Sequence, residues 1–131
     1  MARPRHENPT PAELEVLQVI WERGPSTVRE VMSVLNRQRP RAYTSVMSLM
    51  NVMVGKGLLT QKPQGRAFVY SANVSQDTTR SEIVKDLLGR VFDGSASALV
   101  THLLEQAEPD REELDEIRKT ISEFARKKGG A

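Results

Sequence analysis

The spacing of apolar residues, together with residues that cap helices, predicts two amphipathic helices near the start of the chain. A capping box, in which a threonine N-cap precedes a glutamate by three residues, is formed by Thr10 and Glu13 and again by Thr27 and Glu30. Pro11 occupies the first helical position after the first box, where proline is favoured. The apolar positions then recur every three or four residues: Leu14, Leu17, Ile20 and Trp21 in the first helix, and Val28, Val31, Met32 and Leu35 in the second.

A third predicted helix begins near Thr44 and ends by the glycines at positions 55 and 57, and its two faces differ in chemistry. At about 100° per residue, one side carries Val46, Leu49, Met50 and Met53, and the other carries Thr44, Ser48, Asn51 and Gly55. A helix that is exposed only to solvent usually carries pairs of Glu and Lys on its outer face. Short side chains that donate and accept hydrogen bonds suit a helix that enters a groove, so the pattern favours a recognition surface.

Residues 58–62 and 66–70 have the composition of two short strands around a turn at residues 63–65, which predicts a β-hairpin. The segment at residues 26–28 can add a third strand. Three helices followed by a hairpin form the arrangement of a winged helix-turn-helix domain. The predicted fold is therefore mainly α with a small β-wing: a winged helix-turn-helix domain followed by a helical region.

Beyond Asn73 the apolar pattern is purely helical and predicts three further helices. The stripe of the first is interrupted at Asp93-Gly94, Ser95 can cap the second, and residues 108–110 open the third. The apolar residues of the third step by three, four and three, which is the a/d spacing of two heptads. Isolated helices shorter than about 12–15 residues are marginal in water, so these helices need a packing partner.

The packing partner of these helices is either the first half of the same chain or a second copy of the chain. We favour a second copy and expect a homodimer, because an acidic composition with an a/d seam suits a dimerisation region. The predicted dimerisation residues are Leu87, Val91, Leu99, Leu103, Leu114, Ile117, Ile121 and Phe124.

The formal net charge of +2 conceals an uneven distribution of charge along the 131 residues. Residues 1–73 carry ten basic and five acidic residues, a net of +5, whereas residues 74–131 carry nine and twelve, a net of −3. This contrast is typical of a polyanion-binding half joined to a half with another task, although a solvated basic face has the same composition. We predict a flexible basic arm at residues 1–9, a winged-helix DNA-binding domain at 10–73 and a helical dimerisation region at 74–131.

The basic residues of the first half lie where a winged helix would touch a duplex: before the third helix, after it, and beside the turn of the wing. Contacts to phosphates are accordingly assigned to Arg39, Arg41, Tyr43, Lys56, Lys62 and Arg66. Contacts to base edges are assigned to Thr44, Ser45, Ser48 and Asn51. Asn51 suits adenine, because a side-chain amide can pair with both N6 and N7 of that base.

Composition excludes several classes of protein. The chain has no cysteine, which removes disulfides, thiolate metal sites and a cysteine nucleophile and fits a cytoplasmic protein. No apolar run approaches the roughly 18 residues of a membrane span, and the charged start with its prolines is unlike a secretory signal. No metal site, no cofactor and no direct insertion into a membrane are expected.

Two rival functions differ from DNA binding. An enzyme is disfavoured, because His6 in the arm and His102 in a predicted helix have no local partner for acid–base chemistry, and the sequence contains no phosphate-binding loop, zinc-protease motif or nucleophile elbow. A winged helix that senses a ligand or binds a protein, without operator binding, is the alternative. Trp21 and Tyr43 would then line a pocket; otherwise Trp21 packs in the core and Tyr43 lies at a helix entry.

Several motifs in one register resemble the penicillinase repressor family, the BlaI and MecI type that also includes copper-responsive repressors. They include TVREV at 27–31, AYTSVM at 42–47, KGLL at 56–59 and GRAFVY at 65–70, and the likeness extends over residues 8–126. The resemblance implies a homodimeric repressor that binds a two-fold symmetric operator and blocks access to a promoter. It also implies that the third helix enters the major groove, that the wing contacts the DNA backbone and that C-terminal helices of two chains interlock.

The resemblance further implies a mode of induction. In the penicillinase branch a membrane sensor-protease triggers a cut within the dimerisation region, and the matching bond here joins His102 and Leu103, where the best-known members have Asn-Phe. Val52 and Gly55 stand where relatives commonly carry Arg and Lys, and Ala72 replaces a usual Pro. The copper-responsive branch senses copper through C-terminal cysteines, which this chain lacks.

Overall fold

The computed structural model describes residues 8–129, and within that range it contains six helices and a two-stranded antiparallel sheet. The first three helices and the hairpin are α1 (Pro11–Arg23), α2 (Val28–Leu35), α3 (Tyr43–Lys56), β1 (Leu59–Gln64) and β2 (Ala67–Ala72). The remaining helices are α4 (Gln76–Arg90), α5 (Ala96–Ala107) and α6 (Arg111–Gly129). The predicted fold class, a winged helix-turn-helix domain followed by helices, is confirmed. Residues 1–7 of the predicted arm, with His6, lie outside the described residues.

The capping boxes predicted for α1 and α2 are both formed. The Glu13 backbone N–H donates to Thr10 Oγ1 at 3.2 Å, and the Thr10 N–H donates to Glu13 Oε1 at 3.0 Å. Thr27 and Glu30 repeat both bonds at the start of α2. Helix α3 begins one residue before the predicted Thr44, and it ends at Gly57, whose φ of 85° is accessible to glycine at little cost.

The chain divides into two compact units, residues 1–85 and 86–131, and the first unit contains the hydrophobic core. Val16, Leu17, Val31, Met50 and Met53, which come from α1, α2 and α3, have no exposed surface. Burying one such side chain contributes about 1.5–3 kcal/mol, so this cluster fixes α3 against the other two helices. The predicted apolar side of α3 is confirmed as its buried side.

The hairpin is longer than predicted, and its turn is tighter. Pro63 and Gln64 were expected in the turn, but they belong to β1 and pair with Phe68 and Ala67. The turn is therefore reduced to two residues, the first of which is Gly65 with a φ of 62°. Proline is tolerated in β1, because β1 pairs with β2 on one side and is an edge strand of the sheet on the other.

The predicted third strand is present as a single bridge between Ser26 and Tyr70. The Ser26 N–H donates to the Tyr70 carbonyl at 3.0 Å, and the Tyr70 N–H donates to the Ser26 carbonyl at 2.8 Å. Ser26 is completely buried and Tyr70 is 2% exposed. This pair of bonds joins the connection between α1 and α2 to the middle of β2.

The first unit extends past residue 73, where the predicted winged-helix domain ends, and includes the first part of α4. The Trp21 indole N–H donates to the Val74 carbonyl at 2.9 Å, and the Asn73 side chain donates to the Gly57 carbonyl at 3.0 Å. Thr79 in α4 is buried. The exit from β2 is therefore packed against the winged helix rather than free.

The second unit contains the end of α4 and helices α5 and α6, and no described residue between 86 and 129 is buried. The predicted interruption is present at Asp93 and Gly94, which both have positive φ, and Ser95 caps α5 by accepting from the Ala98 N–H at 3.1 Å. Val91, placed in a helical stripe by its spacing, lies just after the end of α4. Across the described residues, no helix is both long and apolar enough to cross a membrane.

Candidate nucleic-acid interface

The side of α3 that faces away from the core presents the predicted base-contacting residues to solvent. Thr44, Ser45, Ser48 and Asn51 are all exposed, whereas Val46, on the opposite side, is 2% exposed. The core therefore fixes the helix and leaves a row of hydroxyl and amide groups on its outer side. Such groups can donate to and accept from the edges of base pairs.

Asn51 has a partner that sequence analysis did not anticipate. The Tyr70 hydroxyl donates to Asn51 Oδ1 at 2.9 Å, although the two residues lie on different elements, β2 and α3. Burial, with a smaller contribution from Tyr43, raises the pKa of Tyr70 above its ordinary value and keeps the hydroxyl protonated. Tyr70 is part of a strand pattern and gave no sign in the sequence of a role beyond the core.

Arg41, which was predicted as a phosphate contact, is bonded within the protein. Its guanidinium donates to Glu15 Oε1 at 3.0 Å and to the Leu35 carbonyl at 2.7 Å, and its side chain is only 11% exposed. Its backbone N–H donates to Asn36 Oδ1 at 2.9 Å. Arg41 thus ties the loop between α2 and α3 to α1, and moving it to a phosphate would leave Glu15 without this cation.

The structure also changes the role of Lys56. Its ammonium group lies 2.7 Å from Glu13 Oε2, and the Glu13 side chain is 3% exposed while that of Lys56 is 41% exposed. Burial raises the pKa of Glu13, but the hydrogen bonds and charge of Lys56 together with the bonds of Thr10 outweigh it, so the pKa lies below its ordinary value. The ammonium group that was assigned to a phosphate is thus paired with a buried carboxylate, and the pair links the end of α3 to the start of α1.

The other assigned cations lie on the surface. Arg39, Lys62 and Arg66 are exposed, the first in the loop before α3, the second in β1 and the third at the turn of the hairpin. They place positive charge in the loop before α3 and on the wing. This distribution suits a polyanion that runs across the helix and the wing.

The ring of Tyr43, at the start of α3, lies beside Arg29, a residue to which the sequence analysis assigned no contact with DNA. The guanidinium carbon of Arg29 lies 5.1 Å from the ring centre, which is within the range of a cation–π contact. Tyr43 is 39% exposed, and Arg29 lies on the exposed side of α2. Arg29 was counted among the basic residues of the sequence, but only the fold places it next to α3.

The positions where α3 departs from the pattern of the resemblance are both exposed. Val52 is 52% exposed, and a Cβ added at Gly55 would meet no other atom within 4 Å. Gly55 therefore has no packing reason to be glycine. Its presence weakens the helix by about 0.5–1 kcal/mol relative to alanine.

The two residues proposed to line a ligand pocket make contacts of their own. The indole N–H of Trp21 is bonded to the Val74 carbonyl, and the ring packs against the core. The ring of Tyr43 lies beside Arg29. Among the described residues, no group of three or more His, Cys, Asp or Glu side chains is placed to hold a metal ion.

The predicted dimerisation residues are exposed or half-buried in the single chain. Val91, Leu103, Ile121 and Phe124 are 65%, 54%, 56% and 68% exposed, and Leu87 is 37% exposed. Leu99, Leu114 and Ile117 are half-buried. Several large apolar side chains exposed in one region of a chain are typical of a surface that binds a partner.

The predicted cleavage bond lies inside α5 rather than in a loop. His102 and Leu103 are both exposed, and His102 Nδ1 lies 3.1 Å from the Ala98 carbonyl. The imidazole ring also lies 5.3 Å from the ring of Phe92, centre to centre. Its two contacts are thus a carbonyl and an aromatic ring.

Comparison with known proteins gives consistent matches over most of the chain. The family model described as "Penicillinase repressor" matches residues 9–123. A "Transcriptional regulator BlaI" of Mycobacterium tuberculosis (strain ATCC 25618 / H37Rv) is 32% identical over 114 residues, which are 86% of this chain and 81% of that protein. A "Penicillinase repressor" of Bacillus licheniformis is 26% identical over 117 residues, covering 89% of this chain and 91% of that protein.

A solved structure is also similar to part of the chain. It is the solution structure of the monomeric form of Bacillus licheniformis BlaI in complex with the blaP half-operator. It is 27% identical, covers 56% of this chain and 89% of that chain, and has a TM-score of 0.48.

Proposed function

This chain belongs to the penicillinase repressor family, and from that membership we propose that it is a transcriptional repressor that binds operator DNA sequence-specifically. The observation that carries the proposal is the outer side of α3, where four exposed polar residues follow one another: Thr44, Ser45, Ser48 and Asn51. Exposed cations on the preceding loop and on the wing complete the surface. Since it is proposed to act on operator DNA, we also propose that the protein works in the cytoplasm.

We assign base contacts to the four polar residues of α3 and phosphate contacts to exposed groups around them. The phosphate set is Arg39, Tyr43, Lys62 and Arg66, with Arg29 added because of its contact with Tyr43. Arg41 and Lys56 are assigned structural roles instead, because both are bonded to glutamates of α1. Phosphate contacts set the position of the protein on the duplex, and base contacts select the sequence.

Selection from a pool of random duplexes with the full-length chain tests operator binding. We expect enrichment of one two-fold symmetric site, bound about a thousandfold or more tightly than a scrambled duplex of equal length. Recovery of unrelated sequences, with equal affinity for the scrambled duplex, would contradict the proposal and favour a protein-binding or ligand-sensing winged helix.

The salt dependence of operator binding tests the phosphate assignments. A plot of log affinity against log salt concentration has a negative slope for a protein that contacts phosphates. Replacing Lys62 by Ala should make this slope shallower by about 0.9 for each half-site that is bound. The matched control is Lys119→Ala, which removes an exposed lysine from α6 and should leave the slope unchanged. Equal slopes for the two variants would remove Lys62 from the interface.

We propose further that two copies of the chain associate through the apolar residues of the second unit. The support is that no described residue from 86 to 129 is buried while Ile121 and Phe124 are more than half exposed. Two-fold association places two α3 helices on successive half-sites, about 34–36 Å or a multiple apart. The operator should therefore be two-fold symmetric.

Sedimentation of variants tests the dimer. Because Ile121 and Phe124 are exposed, Ile121→Asp and Phe124→Asp leave the packing of the single chain intact, and each should convert a dimer at micromolar concentration to a monomer. Ser122→Asp adds the same charge at the next position of the same helix, away from the apolar row, and should remain dimeric. A monomeric wild-type chain would remove the proposal.

We propose that the repressor is induced by cleavage of the bond between His102 and Leu103, triggered by a membrane sensor-protease. Cleavage would act by disrupting the dimer that the second unit is proposed to form. A cut there separates α6, with Ile121 and Phe124, from the winged helix. In a dimer, binding of one winged helix to its half-site holds the other winged helix close to the second half-site. A monomer lacks this advantage and therefore binds the full operator more weakly. A chain ending at His102 should therefore be monomeric and bind the full operator at least about tenfold more weakly; unchanged affinity would contradict this mode of induction.

A further inference from the structure

One of the proposed base-contacting residues of α3 is hydrogen-bonded to a core residue of β2. Asn51 lies on the exposed side of α3, and its Oδ1 accepts the hydroxyl proton of Tyr70 at 2.9 Å. We propose that Tyr70 is a positioning residue that decides which atoms of the Asn51 amide face the DNA. This inference rests on the proposed operator binding.

The hydroxyl of Tyr70 is held in place by the core and not by the surface. The residue is 2% exposed, and both its backbone N–H and its carbonyl are bonded to the completely buried Ser26. In β2 it pairs with Gln61 of β1. Since backbone and ring are both fixed, the hydroxyl lies at a defined point beside α3, and Asn51 adjusts to it.

The bond to Tyr70 orients the amide of Asn51. With Oδ1 turned towards the hydroxyl, the Nδ2 group is on the other side of the planar amide and faces outward as a donor. Two-atom pairing with adenine needs Oδ1 to accept from N6 while Nδ2 donates to N7. The bond to Tyr70 occupies one of the two lone pairs of Oδ1 and turns this oxygen towards the hydroxyl, and from this orientation we infer that the asparagine contacts DNA as a donor through Nδ2.

A single donor selects bases by a different rule from that of the adenine pair. In the major groove guanine offers N7 and O6 as acceptors, adenine offers N7 and thymine offers O4, whereas cytosine offers only a donor at N4. We therefore expect the base contacted by Asn51 to be any base except cytosine. Tyr70 thus broadens the preference at this position and excludes one base.

Measurements on the free protein test the hydrogen bond without any DNA. By NMR, the Tyr70 hydroxyl proton of the wild-type chain should exchange slowly enough with water to be seen at low temperature, and it should disappear in Asn51→Ala. The side-chain amide signals of Asn51 should shift in Tyr70→Phe, which removes only the hydroxyl that donates to Oδ1. Unshifted Asn51 signals in Tyr70→Phe would overturn the inference.

A set of operators with every base at each position tests the consequence for sequence selection. In Tyr70→Phe the amide is released and can pair with adenine through both atoms, so adenine should gain about tenfold over guanine and thymine at one position per half-site. Other positions should keep their preferences. In Asn51→Ala the preference at that position should vanish, and adding Tyr70→Phe should change nothing further.

A merely structural role for Tyr70 gives a different result. Tyr70→Phe would then lower affinity for DNA by the same factor for every operator sequence. It would also lower affinity by that factor in a chain that already carries Asn51→Ala. This outcome would overturn the proposal. Tyr43→Phe, combined with Asn51→Ala, should give independent effects. If the wild-type chain itself fails to distinguish operator from scrambled DNA, the proposed function fails, whereas the NMR result on the free protein still decides whether Tyr70 orients Asn51.

Discussion

The two units of the chain bury their apolar residues to very different extents. In the first unit five side chains of α1, α2 and α3 have no exposed surface, whereas between residues 86 and 129 no described residue is buried. The first unit thus contains the core needed for its own stability. The second unit has the helices but lacks a core of its own, which is the reason we propose that a second copy supplies it.

The largest expected difference between the units is in the cost of removing an apolar side chain. Leu17→Ala creates a cavity in the first unit and should lower the free energy of unfolding by about 3 kcal/mol. Ile121→Ala removes an exposed side chain and should cost a dilute monomer little, but it should lower the free energy of unfolding at the higher protein concentrations that favour the proposed dimer. Chemical denaturation over a range of protein concentrations measures both, and equal losses at all concentrations would remove the distinction.

An ion pair of the first unit should also contribute more to the free energy of unfolding than an ion pair of the second unit. Glu13 is buried beside Lys56, and its pKa lies below the ordinary value of 4.5 because the bonds and charge of Lys56 with the bonds of Thr10 outweigh the effect of burial. A lowered pKa means that the carboxylate stabilises the fold fully above its unfolded pKa, and that this contribution is lost as the pH falls through the folded pKa. Glu13→Gln should cost about 1.5–3 kcal/mol at neutral pH, the range for a hydrogen bond to a charged group.

Thermal unfolding at a series of pH values between about 6 and 3 checks this prediction. The stability of the wild-type chain should decline towards the acid end, and the difference between it and Glu13→Gln should shrink along with it. Glu22→Gln, at an exposed position of the same helix, is the control and should keep the wild-type slope. A difference that is constant over the whole range would mean that the Glu13 carboxylate contributes nothing through its ionisation.

A lysine at position 55 should strengthen the first unit and its contact with DNA. Gly55 lies in α3 with open space around its Cβ position, so Gly55→Lys should raise stability by about 0.5–1 kcal/mol through helix propensity. On operator DNA, Gly55→Lys should also make the fall of log affinity with log salt concentration steeper by about 0.9 per half-site. Gly55→Ala separates the two effects, since it should share the gain in stability and leave the slope unchanged.

The smallest effect is expected for the exposed ion pairs of the second unit. Arg118 and Asp115 are 3.2 Å apart, and their side chains are 74% and 59% exposed. Arg118→Ala should therefore change the free energy of unfolding by less than about 0.5 kcal/mol. A loss as large as that of Glu13→Gln, measured in the same denaturation experiment, would show that the second unit is stabilised by its own charges.

Local signals in the sequence predicted most of the first unit. A capping box needs only residues three positions apart, and an apolar stripe needs only one helix, so Thr10, Thr27 and the inner side of α3 could be placed without knowledge of the fold. The length of the hairpin was missed, because Pro63 suggests a turn while strand pairing continues past it to Gln64. The edge position that permits this proline is a property of the sheet and not of the local sequence.

Side-chain partners were harder to predict than elements. A count of basic residues gave Arg41 and Lys56 the same role as Lys62, yet the first two are paired with glutamates 26 and 43 residues earlier in the chain. The bond between Tyr70 and Asn51 likewise joins residues 19 positions apart. Long side chains reach partners that only the packing of α1 and β2 against α3 brings near, and spacing along the chain does not reveal them.

The hydrogen bond from Trp21 to the Val74 carbonyl also makes intrinsic tryptophan fluorescence a probe of one defined site in the protein. The chain contains a single tryptophan, so all of its indole fluorescence originates where the exit of β2 meets the end of α1. The emission will respond to any loosening of that junction, and it needs no attached dye. Unfolding of the first unit can therefore be followed in the unmodified chain at one defined point.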